Sequence, residues 1–191
     1  MRTQLERAEF IGSFMRRYLF FGQDNSLLVI DQHAACERIN YEKFLSQLEA
    51  GRIESQQLLE PVIISLSETD RIAYKSSRQA LEKMGFSVSL WGEGSLAIHA
   101  YPQLITNPEI AVRNIMGLEE SEGPLETIDK ESLARRACHN SVRSGYRMSV
   151  QEAGVLRQEL LLAKQPFSCP HGRPTVIEIK EDSLQKQFLR R

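Results

Sequence analysis

The chain has 191 residues, 41% of them hydrophobic, and a formal net charge of −1. That length can bury a core in one or two small domains. The near-neutral balance excludes strong nucleic-acid binding by bulk charge alone, and no run approaches the roughly eighteen apolar residues of a membrane span.

Phe10 to Phe21 and Ser26 to Asp31 read as two strands joined by a turn at Gly22-Gln23-Asp24-Asn25, although Arg16-Arg17 interrupts the alternation of the first. A helix is predicted from about Ala34 to Ala50, stopped by Gly51. The stretch Gln56 to Pro61 is a polar, proline-containing connector. Beyond it come a strand (62–66), a helix (68–84, with Ser67 as cap and Gly85 after its end), and a strand (86–90). After the Gly92-Glu93-Gly94 turn follow another strand (95–100) and a short helix (108–118). Residues 119–130, with Gly123-Pro124, form a second linker. Helices at 133–144 and 150–164 follow, the latter opened by the capping box Ser149 and Glu152. A strand at 175–179 and a helix from Asp182 complete the chain.

This order predicts an α/β fold of the α+β type in two lobes. A discontinuous core lobe (1–55 and 125–191) holds a mixed sheet with helices. A β-α-β-β-α regulatory lobe (62–122) is inserted into it, next to the linker 56–61. There is no internal repeat and no low-complexity tract.

The chemistry concentrates at the first strand-to-helix join. Asp31 ends the apolar run Leu27-Leu28-Val29-Ile30, and His33 and Glu37, four residues apart, share one helix face. Carboxylate and imidazole converging there make a divalent-metal site. The plainer alternative is Asp31 as an N-cap, His33 as an interior histidine and Glu37 as half of a surface pair. Glu42 lies five residues, about 140° of helix, from Glu37, so it is assigned a supporting role with Arg38 as partner. Cys36 is read as core or bystander.

Softer ligands come downstream. Cys169 and His171 stand in a turn punctuated by Pro170, Gly172 and Pro174, and Cys138-His139 lies in an arginine-rich segment. Thiolate and imidazole suit zinc, although no Cys-x-x-Cys spacing is present. Arg173, beside these ligands, is the candidate for steadying a phosphate. Arg136, Asn140 and Arg143 share another helix face, about 200° from Cys138, and read as solvated surface. Three cysteines without framework spacing, and no signal peptide, lead to the expectation of a soluble protein in a reducing, cytoplasmic compartment.

The residues Asp31-Gln32-His33-Ala34 followed by Glu37 and Glu42 resemble the signature of the MutL mismatch-repair endonucleases. Cys169-Pro170-His171-Gly172-Arg173-Pro174 is similar to that family's second hallmark. Ala137-Cys138 resembles the start of its Ala-Cys-Arg motif, and Phe188-Leu189-Arg190 its terminal Phe-any-Arg. The order agrees from Phe10 to Arg191; one departure is His139, where the family pattern has arginine. Nothing here resembles the nucleotide motifs of the family's ATPase half.

The resemblance implies a homodimeric, metal-dependent domain that nicks one strand of duplex DNA. Asp31, His33 and Glu37 are the implied catalytic centre, and Cys138, Cys169 and His171 join them as metal ligands. Implied cofactors are Zn2+ in a regulatory or structural role and Mn2+ or Mg2+ for catalysis. Gln56-Gln57-Leu58-Leu59-Glu60-Pro61 resembles the peptide by which such proteins engage the β sliding clamp. Leu58 or Leu59 would fill an apolar pocket, Gln56 would make a directional hydrogen bond, and Pro61 ends the motif. A plain linker is the alternative. Duplex DNA, bound weakly by the domain alone, and a mismatch-recognition protein of the MutS type, reached through the full-length protein, are the remaining implied partners. The expected location is the bacterial cytoplasm, with nucleoid association during repair. The rival readings are a non-catalytic dimerisation scaffold with structural zinc and an unrelated zinc hydrolase of small molecules.

Overall fold

The computed structural model describes residues 1–118, 129–139 and 146–189. Outside these lie most of the expected linker 119–130, Asn140 and Arg143 of the basic face, and Arg190 of the terminal motif. In chain order the elements are α1 (Arg2–Arg7), β1 (Glu9–Phe14), β2 (Tyr18–Gln23), β3 (Ser26–Asp31), α2 (Gln32–Ala50), β4 (Ser55–Ser65) and α3 (Glu68–Lys83). There follow β5 (Ser87–Leu90), β6 (Ser95–Pro102), α4 (Pro108–Met116), α5 (Lys130–Cys138), α6 (Val150–Leu162), β7 (Val176–Lys180) and α7 (Glu181–Gln187). This is a mixed α/β fold, as expected. The expected mixed core sheet is antiparallel in each of its pairings.

Contacts group residues 1–39 with 143–191 into one compact unit and 40–142 into a second. Composition draws the boundaries instead at 55–62 and 122–125. Two ties within the second unit account for the difference. Lys130 Nζ on α5 donates to the Leu48 carbonyl of α2 at 3.1 Å. The Asn114 amide of α4 donates to the carbonyls of Arg136 (3.1 Å) and His139 (2.8 Å) at the end of α5.

The first unit is built on the sheet β1-β2-β3-β7. Leu19 and Phe21 on β2 alternate into its core with Leu28 and Ile30 on β3, against Leu5, Leu156 and Leu160 from α1 and α6. Each fully buried leucine or phenylalanine contributes about 1.5–3 kcal/mol. Helix α6 begins where expected: Ser149 Oγ accepts from the Glu152 amide, and Glu152 Oε2 accepts from the Ser149 amide at 2.8 Å. The strand predicted over Phe10 to Phe21 is in fact a hairpin. Met15 and Arg16 both have φ of 53°, and the Arg17 amide closes the turn on the Phe14 carbonyl at 3.1 Å. Two successive left-handed residues match the right-handed twist of the flanking strands. Arg16-Arg17 breaks the alternation because the chain reverses there.

The second unit carries the sheet β4-β6-β5, with α3 and α4 each capped by a side chain, Ser67 and Asn107 respectively. The connector 56–61 is not a separate linker but the first half of β4. Residues 55–57 pair with 100–102 and residues 62–65 with 95–98, so 58–61 form a bulge on a sheet edge. Leu59 stands fully exposed on that bulge. No helix among the described residues is long and apolar enough to cross a membrane.

Candidate metal centre

The centre forms where β3 passes into α2. Asp31 ends the strand, and its Oδ1 accepts from the amides of His33 (2.9 Å) and Ala34 (3.1 Å). Those are two of the donors that a helix start leaves unpaired, so Asp31 is the N-cap of α2. Its Oδ2 faces Arg17 Nε at 3.5 Å. With the helix started there, His33 and Glu37 fall on one face, His33 Nε2 lying 3.1 Å from Glu37 Oε1.

The other wall is the turn before β7. The Cys169 amide donates to the Arg173 carbonyl at 2.8 Å, and the Gly172 amide returns to the Cys169 carbonyl at 3.0 Å. Gly172 has φ of +82°, which a side chain would strain. Two bonds lock this turn in place: the Asp31 amide donates to the Thr175 carbonyl at 2.9 Å, and Arg38 Nε to the Ser168 carbonyl at 2.6 Å. His171 Nδ1 thereby comes to 3.6 Å from Glu37 Oε2, and an Arg173 guanidinium nitrogen to 3.6 Å from the same oxygen. Ligand atoms of Glu37, Cys169 and His171 lie within 4.8 Å of one another.

Glu37 is fully buried, and neither carboxylate oxygen completes a hydrogen bond of good geometry among the described residues. Burial alone pushes its carboxyl upward, but the polar contacts from His171 and His33 outweigh that and hold it well below the usual carboxylate range. His33 is shifted the other way: its contact with Glu37 favours the imidazolium more than desolvation opposes it. A fully buried anion ringed by imidazole, guanidinium and thiol is what a cation would complete. One oxygen, one nitrogen and one sulfur donor fit zinc.

Of the expected site residues, Glu37, Cys169 and His171 come together, His33 and Arg173 adjoin them, and Asp31 is engaged as a cap. Cys138 ends α5, buried in the second unit. Gln56, Leu58, Leu59 and Pro61 lie on β4. Two contributors went unrecognised in the sequence. Arg38, assigned to Glu42, is buried and reaches Ser168. Gln32 is fully buried, and its side-chain amide, turned so that the nitrogen faces them, donates to the carbonyls of Arg16 (3.1 Å) and Tyr146 (3.2 Å). A polar residue on each side of the metal-ligand spacing was the only available signal.

The family model of the MutL C terminal dimerisation domain matches residues 11–148. The chain belongs to that family. "DNA mismatch repair protein MutL" of Clostridium botulinum (strain 657 / Type Ba4) is 34% identical over 186 residues, covering 94% of this chain and 28% of that protein. The protein of the same description from Clostridium tetani (strain Massachusetts / E88) is 33% identical over 194 residues, covering all of this chain and 31% of that protein. This MutL C-terminal domain thus spans less than a third of the length of these curated relatives. The Cys169–His171 turn lies beyond the family-model match but within the C. tetani match.

Proposed function

We propose that this MutL C-terminal domain is a metal-dependent endonuclease that nicks one strand of duplex DNA in mismatch repair and pairs with a second copy of itself. The carrying observation is the fully buried Glu37 carboxylate set among His33, His171 and Cys169. Glu37, Cys169 and His171 would hold Zn2+, with His33 as a further ligand and Mn2+ or Mg2+ as the catalytic ion. When bound, such ions supply Lewis acidity and an activated water for phosphodiester hydrolysis. His33 and His171 keep Glu37 ionised, Asp31 sets the helix that presents both, and Arg173, half exposed beside Glu37, is placed to steady a backbone phosphate.

The sheet of the first unit supports the homodimer. Phe20, Leu27, Val29, Ile177 and Ile179 line up across three strands on the face opposite the core residues, and Ile177 is 49% exposed. An apolar face of that kind is suited to a partner. In the second unit the bulged 58–61 segment supports the clamp reading, because it holds Leu59 out from the sheet edge between Gln56 and Pro61. The unit bearing it is the regulatory lobe in this reading. A mismatch-recognition protein of the MutS type would be reached through the full-length protein.

The test is nicking of supercoiled plasmid. Manganese-dependent nicking that is abolished by Glu37→Ala, with fold and dimer retained, is the expected result. A zinc-loaded dimer that never nicks under any divalent metal would leave the scaffold reading instead.

A further inference from the structure

We propose that the β1–β2 turn at Arg16-Arg17, with Arg147, forms a phosphate-binding face that seats the DNA backbone beside Glu37. The partner's identity rests on the nuclease reading above; the face itself rests on geometry. Gln32, fully buried at the start of α2, is its hub. The Gln32 backbone amide donates to the Arg17 carbonyl at 2.8 Å, and its side-chain amide, once turned so that the nitrogen faces them, donates to the carbonyls of Arg16 and Tyr146. Two distant backbone segments are thereby fixed at one point. One presents Arg16 and Arg17 and the other Arg147, all three exposed.

The charges around this hub are unbalanced toward solvent. Arg17 is 53% exposed, with Nε 3.5 Å from Asp31 Oδ2 and its guanidinium carbon 5.8 Å from the Tyr18 ring centroid. Asp31 holds that guanidinium from beneath while also capping α2, so the arginine is oriented with much of its donor fork still open. Arg173 repeats the arrangement over Glu37, 52% exposed above a carboxylate that is fully buried. Arg17 and Arg173 thus each lie against one acid, one of the acids hidden, while Arg16 and Arg147 are exposed on the two backbone segments that meet at the Gln32 hub. Guanidinium is the group best matched to phosphate oxygens, because its planar fork bonds them in pairs. The turn is short and held at both ends, so little freedom is lost when a ligand binds it.

The test is binding of a short fluorescent DNA duplex to the zinc-loaded chain, followed by anisotropy over a series of salt concentrations without a catalytic metal. Arg16→Asn, which suits a left-handed backbone, is combined with Arg17→Gln and Arg147→Gln. The combination is expected to weaken duplex binding about tenfold and to flatten the salt dependence by about two to three, near 0.9 for each phosphate no longer engaged. Zinc content and sedimentation should stay as in the parent, and Arg71→Gln with Arg78→Gln on α3 should bind like the parent. Unchanged affinity and salt slope in the triple variant overturns the proposal. Should that variant lose zinc or its dimer, Arg147→Glu alone decides: weaker binding upholds the face, and parental binding overturns it. Because the assay needs no cleavage, a domain that binds duplex through these arginines but never nicks would refute the nuclease reading and leave this face standing.

Discussion

His171 Nδ1 lies 3.6 Å from Glu37 Oε2, although one residue lies in the second turn of a helix in the first quarter of the chain and the other sits in a turn near its end. Each side chain alone has an ordinary structural explanation. Together they place an imidazole against a carboxylate with no exposure, the arrangement on which the proposed metal site rests.

The chain should carry zinc when isolated, and Cys169→Ser with His171→Ala should release it, because the thiolate and one imidazole that favour zinc are both lost. Elemental analysis of both proteins checks this. A folded parent without zinc would remove the ligand assignment.

Glu37→Ala should reduce manganese-dependent nicking to background, while Glu42→Ala stays within about tenfold of the parent, as for a group that supports the site without touching it. Plasmid nicking with metal content measured in parallel separates the two. Equal inactivity of a fully metallated Glu42→Ala variant would contradict the division of roles.

Arg38→Leu should destabilise the domain by about 1.5–3 kcal/mol, the range for a hydrogen bond to a charged group, since the Ser168 carbonyl loses its donor. Zinc affinity should fall with it, about 10–100-fold, because that bond anchors the residue next to Cys169. Denaturant unfolding and a chelator competition read the two effects. Loss of stability with unchanged zinc affinity would make Arg38 a packing residue only.

Ile177→Glu should convert the dimer to a monomer near 21.8 kDa, because a carboxylate buried unpaired in an apolar interface is strongly unfavourable. Sedimentation at micromolar concentration is the measurement. A dimer of unchanged strength would move the interface away from this sheet face.

Gln56→Ala with Leu59→Ala should abolish stimulation of nicking by a sliding clamp and leave basal nicking and zinc content as they were. The clamp would act by raising local concentration on a duplex that the domain alone holds weakly. Unchanged stimulation would reduce the bulge to an irregularity of the sheet edge; lost basal activity would make it part of the catalytic fold.

What the sequence determined by itself is local. The shared face of His33 and Glu37 follows from helix spacing, and so does the capping box at Ser149 and Glu152, whereas the cap at Asp31 was only the alternative to its reading as a metal ligand. The Cys169–His171 turn is marked by its own proline and glycine residues. The β1–β2 reversal was hidden because its left-handed residues are Met15 and Arg16 rather than glycine or asparagine. The connector 56–61 was misread because a bulged strand shows no clean alternation; only pairing with β6 reveals it. Arg38 and Gln32 gave no sign of burial, since each is satisfied by backbone remote in sequence.

Tertiary structure decided that the two halves of the centre meet. Strand β7 pairs antiparallel with β3, Val176 opposite Ile30, and the ladder continues from the Asp31 amide to the Thr175 carbonyl. Antiparallel pairing sets the segment before one strand beside the segment after the other. The turn carrying Cys169 and His171 comes just before β7, and the helix carrying His33 and Glu37 comes just after β3. Their meeting is therefore a property of strand register, which neither motif encodes alone.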